Sequence, residues 1–408
     1  MITVSKAREI IAGYIRRPSD ERIDASSCYR RVLAEDIISR SDIPAFDNSA
    51  MDGFALSAAD TAGITSQGPK DFVVIGGLPA GLKANKKIGK YQALRIMTGA
   101  PIPPGASCVL RKEEAQGFMR GGRDYIKVYR KVSRGENIRR AGEDVSRGRV
   151  VLSRGKILGP AECGMVAALG RDKLRVYRRP RVGILATGDE LIRPGQRLSG
   201  AKIYDSNSYS LYAAVLHSLA VPVRLGVVCD LRRRLQRRIQ SSLQQGLDVL
   251  LISGGVSVGD YDYVRDALKA LGAKIGFWGV KMRPGKPLAF AVSGKTKIFG
   301  LPGNPVSALV CFEVFVRPAL ARMSGQADWR QREISVLSAQ SIEKKRGLRY
   351  FLRAQLRPRN GRLLARLSGA QGSGILSSLL GADGLLVLPE GITRVEKGDE
   401  ARVMTLWH

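Results

Sequence analysis

Histidine is nearly absent from this chain of 408 residues, with His217 and His408 the only two. A triad or metal centre built on imidazole therefore has almost no material. The five cysteines (Cys28, Cys108, Cys163, Cys229 and Cys311) are scattered, odd in number and without a C-x-x-C pair. That argues against zinc and against a disulfide framework, and fits a reducing compartment. No charged segment followed by an apolar one opens the chain, and no apolar run reaches the ~18 residues of a spanning helix. A cytoplasmic protein with no membrane attachment is the expectation. Acids are scarce too: 36 Asp and Glu against 67 Lys and Arg leave a net charge of +31.

Such a charge suits nucleic acid, yet the excess is spread along the chain. Its densest stretches are Arg120–Arg181 and LRRRLQRRIQ, Leu231–Gln240. In the second, Leu231, Leu235 and Ile239 form an i, i+4, i+8 apolar seam with arginines facing away. Aromatics that could stack on bases are few in both. We read a solvated basic face, and specific nucleic-acid binding is not expected.

Apolar content of 44% and charged content of 25% are ordinary for a globular protein, and the length calls for more than one core. The spacing predicts a short helix over Ser5–Tyr14 capped by Ser5, a periodic piece over Val32–Ile38, and a loop through SDIPAFDNSAMDGFAL. From Phe72 to about Val151 short β-like runs alternate with Gly and Pro. A helix over Pro160–Leu169 stops at Gly170. From Arg181 strands alternate with helices: strands over Val182–Ala186, Val223–Val228, Val249–Ile252 and Lys274–Val280, helices over Ser206–Leu219, Leu231–Gln245, Tyr261–Leu271 and Val306–Met323. This predicts a three-layer α/β sandwich on a mostly parallel sheet, with a hairpin turning at Ser293-Gly294. After about Gln326 helices stop and short strands (Ile334–Leu337, Tyr350–Leu356, Leu363–Arg366, Gly384–Leu388) suggest a small β-barrel or sandwich.

Three segments repeat one shape, an apolar strand, a Gly-rich turn and a helix: VGILATGDEL, VLLISGGVSVGDYDYV and IFGLPGNPVSALV. Such turns bring backbone N–H groups and helix N-termini to the C-terminal edge of a sheet, where anions bind. Two of them carry carboxylates (Asp189, Glu190, Asp260, Asp262), and carboxylates beside a phosphate cradle point to a divalent cation. In the first turn Thr187 and Gly188 precede the acids. In the second, Ser253, Gly254, Gly255 and Ser257 exceed what an N-cap at Asp260 requires. In the third, Pro302 and Pro305 stiffen both sides of Gly303. Asp230 ends a strand at the same edge, where capping the Arg-rich helix competes equally with a role at the site. Lys281, Arg283 and Lys286 lie in KMRPGKPLAF, a stiffened cationic loop suited to an oxyanion. In the β-rich half, Asp52, Thr98, Glu143 and Asp144 sit in Gly-containing loops whose combination surface turns explain poorly.

Taken in order, DIPAFDNSAMDGFA, RIMTGAPIPPGA, RRAGEDV, ATGDEL, YDSNSY, SGGVSVGDYDYV, MRPGKPLAF and FGLPGNPVSALVCFEVFVRPAL resemble the MoeA family, the molybdopterin molybdenumtransferases, whose eukaryotic counterpart is the gephyrin E domain. The resemblance covers essentially the whole chain. It implies a cytosolic, elongated homodimer whose subunits divide into an N-terminal helix (1–22), a linker and dimerisation domain (23–50 and 146–178), a β-rich insertion (51–145), a molybdopterin-binding α/β domain (179–325) and a C-terminal β-barrel (326–408). The implied reaction takes adenylylated molybdopterin and molybdate, cleaves the phosphoanhydride with Mg²⁺, releases AMP and inserts molybdenum into the dithiolene.

The resemblance carries metal or catalytic roles onto Asp52, Asp144, Glu190, Asp230 and Asp260, with Thr98 and Arg139 in support. Thr187, Gly188, Ser253, Gly254, Gly255, Ser257, Pro302, Gly303, Asn304 and Ser307 would cradle the pterin and its phosphate. Lys286 and Arg283 would hold the oxyanion, although relatives often have Lys at the latter position. Asp52 and Asp144 would come from the partner subunit. Implied protein partners are a molybdopterin adenylyltransferase and molybdoenzyme maturation proteins. The competing readings are adenylyl transfer to molybdopterin on the same fold, and a non-catalytic scaffold using the basic surface.

Overall fold

The structure, a computed structural model, describes residues 1–16, 18–83, 85–256 and 263–406. Two compact units divide the chain. The first comprises Met1–Glu35, Arg154–Cys163 and Asp172–His408, the second Asp36–Ser153 and Gly164–Arg171.

The second unit is β-rich. Its six-stranded sheet runs in the order Cys108–Arg111, Gly53–Leu56, Gln92–Ile96, Lys70–Leu78, Arg123–Val128, Ala115–Arg120. One pair in it, Lys70–Leu78 with Gln92–Ile96, is parallel, and the others are antiparallel. Phe72, Leu56 and Leu110 fill one core of this unit, and Leu78, Leu94 and Ile96 another.

In the first unit, helix α1 (Val4–Gly13) is capped by Thr3, whose hydroxyl oxygen accepts from Lys6 N, rather than by Ser5. The register puts Val4, Ala7 and Ile11 on one buried stripe. The expected periodic piece at Val32–Ile38 is not a helix. Residues 30–33 ladder against 155–158, and Ile37–Ile38 pairs with Val150–Leu152. Helix α2 (Pro160–Ala168) ends as expected before Gly170, whose φ of +67° suits glycine.

The α/β body has six strands: β1 (Arg181–Thr187), β2 (Val221–Val228), β3 (Val249–Ser253), β4 (Lys274–Trp278), β5 (Ala289–Ser293) and β6 (Thr296–Leu301), in the order β2-β1-β3-β6-β5-β4. The first four in that order are parallel, and the hairpin β5–β6 makes its two new pairings antiparallel. Helices α3 (Asn207–His217), α4 (Arg232–Leu243), α5 (Tyr263–Ala270), α6 (Pro305–Cys311) and α7 (Arg317–Met323) complete the layers. One face buries α1, α3, α6 and α7 against Phe290 and Phe299, the other buries α4 and α5 against Leu250 and Ile252. Each such aromatic stabilises by about 1.5–3 kcal/mol on burial. In α4 the expected seam is shorter: Leu235 and Ile239 are buried, but Leu231 is the N-cap residue and 53% exposed.

The helix expected over Val306–Met323 is interrupted by a π turn, Phe312–Val316. Pro318 has no N–H to give the Val314 carbonyl, and Arg8 Nε donates to it instead at 3.3 Å. Gln331 Nε2 donates to the neighbouring Glu313 carbonyl.

Beyond residue 332 five strands close into a barrel: Glu333–Ser338, Glu400–Thr405, Gly384–Leu388, Arg349–Arg359 and Arg362–Leu367, which returns to the first through Leu337 and Leu364. Four elements of this region escape the sequence reading: the strand Glu400–Thr405, the paired two-residue strands Ile342–Glu343 and Arg394–Val395, and a four-residue helix, Ser377–Leu380.

Candidate active site

Parallel register sets the three Gly-rich turns at one height. Ala186 of β1 is level with Ser253 of β3, which is level with Leu301 of β6, and Thr187 is level with Val228 of β2. The chain therefore leaves β1, β2, β3 and β6 into one cleft of about 440 Å³, lined by Thr187, Glu190, Asp230, Ser253 to Val256, Pro302 to Pro305, and Tyr204 to Asn207 at the start of α3.

Backbone proximity explains the glycines. Gly254 has φ +95°, and a Cβ there would lie 2.3 Å from the Thr187 carbonyl oxygen. Its N–H donates to Leu301 O at 3.0 Å, joining the second and third turns. Gly303 is different: the nearest atom to its Cβ position is Gly254 Cα at 3.8 Å. At Gly188 a Cβ would meet both Glu190 carboxylate oxygens at 2.7 Å, so that exposed acid lies directly over the turn.

Thr187, only 3% exposed, donates its hydroxyl to Asp230 Oδ1, and the Asp230 N–H donates to Asp189 Oδ1 at 3.1 Å. Asp230 does not cap α4, whose N-cap residue, Leu231, makes no side-chain cap bond. The alternative of a simple capping role is thereby removed.

Asn207 was not singled out from sequence, yet it ties the cleft together. Its Nδ2 donates to Ser253 Oγ at 2.8 Å and to Gly303 O at 2.7 Å. The signal was the motif YDSNSY, in which Asp205 Oδ1 also accepts from Ser208 N at 3.0 Å and holds the first turn of α3. The barrel contributes as well. Arg353, 0% exposed, donates through Nη2 to Ala370 O and Gly372 O at 3.0 and 2.9 Å, and through Nε to Ser378 Oγ at 3.0 Å. The loop so held ends at Ser373, whose hydroxyl accepts from Asn304 Nδ2 at 3.1 Å and whose carbonyl accepts from Val306 N at 3.1 Å. An arginine inside a strand whose residues 350 to 354 are all buried gives no sequence clue to this.

Other expected residues fall elsewhere. Ser307 is buried in the first turn of α6, outside the cleft lining. Lys286 and Arg283 are exposed, and of their loop Pro287 lines the cleft. The Arg283 guanidinium lies 5.6 Å from the centre of the Tyr350 ring on the barrel. Ser257, Asp260 and Asp262 lie outside the described residues.

In the second unit, Asp52 is exposed and Oδ1 accepts from both Thr98 N at 2.7 Å and Thr98 Oγ1 at 2.8 Å. These two bonds, the backbone one first, hold the Asp52 carboxyl below its ordinary value, and Lys112 and Arg95 add to the effect. Arg139 pairs with Asn48 in a two-residue ladder. The loop that follows is anchored by Asp47, which accepts from Ala141 N at 2.8 Å and from Arg140 Nη1 at 2.5 Å. Asp144 is exposed in that loop, its N–H donating to Ile43 O at 3.1 Å.

Among the described residues no three His, Cys, Asp or Glu side chains form a metal cluster. Three carboxylates line the cleft, Glu190, Asp205 and Asp230; Asp205 is engaged by the Ser208 N–H, and Glu190 and Asp230 remain as hard oxygen donors. That set fits Mg²⁺, which keeps waters and takes one or two carboxylates together with substrate phosphate oxygens.

Residues 2–170 match the MoeA N-terminal region (domain I and II), 183–322 the probable molybdopterin binding domain, and 336–406 the MoeA C-terminal region (domain IV). The molybdopterin molybdenumtransferase of Bacillus subtilis is 34% identical over 405 residues, 99% of this chain and 94% of its own. Molybdopterin molybdenumtransferase 2 of Mycobacterium tuberculosis is 37% identical over 412 residues, 100% of both. The crystal structure of the molybdopterin biosynthesis moeA protein from Pyrococcus horikoshii OT3 matches with a TM-score of 0.82 at 32% identity, covering 100% of both chains.

Proposed function

The chain belongs to the MoeA family of molybdenum cofactor biosynthesis, and from that premise we propose that it is a molybdopterin molybdenumtransferase acting on adenylylated molybdopterin and molybdate. AMP leaves as the phosphoanhydride is cleaved, and molybdenum enters the dithiolene. The observation that carries this reading is the convergence of three Gly-rich turns on one cleft that also holds the carboxylates of Glu190, Asp230 and the helix-holding Asp205.

In that cleft, backbone N–H groups of the Ser253–Gly255 and Pro302–Asn304 turns receive the pterin and its phosphate, and Asn207 keeps the two turns at fixed separation. Thr187 and Gly188 bring the Glu190 and Asp230 carboxylates to the same place. These two, with Asp260, would hold Mg²⁺, which when bound neutralises charge on the phosphoanhydride. Lys286 and Arg283 attract the oxyanion, and the +31 net charge draws polyanionic substrates toward the protein. Asp52, Thr98 and Asp144 belong to the same reaction through a second copy of the chain, so the working form is a homodimer. Asp52, held in place by Thr98, orients an oxygen or a cation there. We further propose a cytoplasmic setting, the five-part domain division set out from sequence, and transfer partners in a molybdopterin adenylyltransferase and molybdoenzyme maturation proteins.

The direct test incubates purified protein with adenylylated molybdopterin and Mg²⁺, with and without molybdate, and follows AMP. Molybdate-dependent release is expected, and its absence would overturn the reading.

A further inference from the structure

Cys28 and Cys163 stand 135 residues apart in sequence, yet their Sγ atoms lie 3.1 Å from each other. Backbone bonds fix this approach. Arg30 N donates to Leu158 O at 2.8 Å, Leu158 N to Arg31 O at 2.9 Å, Leu33 N to Lys156 O at 3.0 Å, and Gly155 N to Leu33 O at 2.8 Å. Cys28 closes a 3₁₀ turn just before this ladder, and Cys163 lies in the first turn of α2 just after it. The other three cysteines face other groups: Cys108 donates to Leu56 O, Cys311 to Gly285 O, and Cys229 accepts from Arg234.

We propose that Cys28 and Cys163 form a reversible disulfide when the protein meets a hydroperoxide, making the pair an oxidative modification site. The bond needs the sulfurs to close from 3.1 Å to about 2.05 Å, a movement of about 1 Å. Cys163 is half-exposed and meets peroxide first, whereas burial pushes the Cys28 thiol up to about 11 and keeps its proton in place. The Cys163 sulfur attacks one peroxide oxygen, the O–O bond breaks, and a sulfenic acid and one water result. The Cys28 sulfur then attacks the Cys163 sulfur, and the S–O bond breaks as the second water leaves with the Cys28 proton. Two thiols lose two electrons in all, and one hydrogen peroxide becomes two waters.

The chain between the two cysteines contains Asp36–Ser153, nearly all of the second unit. The bond would close that long excursion covalently in the unfolded chain, where cross-links of widely separated residues act most strongly. It does not involve the cleft, whose lining includes neither cysteine.

The test treats the full chain with hydrogen peroxide, blocks remaining thiols by alkylation and maps the peptides. Free thiols should fall from five to three, with one disulfide between the Cys28 and Cys163 peptides. Dithiothreitol should restore all of them, and the guanidinium unfolding midpoint should be higher in the oxidised form. The Cys163→Ser variant, changed at a half-exposed position, should lose both the disulfide and the midpoint shift. Alkylation of both cysteines after peroxide, or a midpoint shift that survives in Cys163→Ser, overturns the proposal.

Discussion

The cleft of the α/β body and the Asp52–Thr98 pair of the β-rich unit hold acids by contrasting means. In the cleft, the Asp230 carboxylate accepts from a hydroxyl that is itself buried, and the turns around it are locked by Asn207 and by backbone contact at Gly254. Asp52 is open to solvent and is held by one residue, Thr98, through two short bonds. The first arrangement is stiff because strand register and close backbone packing over-determine it. The second depends on a single neighbour and should respond to small changes.

The largest expected effect sharpens this contrast inside the cleft. Gly254→Ala forces a Cβ against the Thr187 carbonyl in a left-handed conformation and should cost about 3 kcal/mol in chemical denaturation, with loss of activity. Gly303→Ala, whose Cβ would make only an ordinary van der Waals contact with Gly254 Cα, should stay within about 0.5 kcal/mol of the parent. Equal effects at both positions would remove the case that backbone approach stiffens the cleft. Asn207→Ala comes next. It leaves Ser253 Oγ and Gly303 O without this donor, and a loss of about 1–3 kcal/mol is expected together with weaker substrate binding.

The smallest effect belongs to the open pair. Thr98→Val removes the hydroxyl bond but keeps the backbone one, so the Asp52 carboxyl should move part of the way back up toward its ordinary value in an NMR titration. The sign follows from a depressed folded-state value. Ionised Asp52 favours the folded state above the usual carboxylate range, and that contribution is lost as pH falls through the lowered value. In Thr98→Val the loss should begin at higher pH. An unmoved titration would mean the hydroxyl bond does little.

Periodicity and turn chemistry made the α/β body legible. Apolar runs that lead through a Gly-rich turn into a helical pattern mark β1, β3 and β6 and the cleft edge, because register there is dictated by burial on both faces. The hairpin that reverses the last two strands was legible from Ser293-Gly294. The interruption in α6–α7 was not, since the π turn arises where Arg8 and Gln331 serve carbonyls from distant parts of the chain. The same limit hid Asn207, Arg353 and Ser373, whose roles rest on contacts between separate elements. In the β-rich unit, Asp52 and Thr98 are 46 residues apart and meet through sheet pairing that no local spacing reveals. Only the family resemblance brought them together.

The proposed reaction draws on both regions, and the most direct test uses subunits mutated on opposite sides. Asp52→Asn and Asp230→Asn chains, each carrying a different affinity tag, are coexpressed, and the doubly tagged species is purified and assayed for molybdate-dependent AMP release. Each variant alone should be inactive, while the mixed dimer, with one intact composite site of two, should recover about half the parent rate. A mixed dimer as inactive as its parents, or full activity in either variant alone, would contradict the claim that the cleft and the Asp52 face act together.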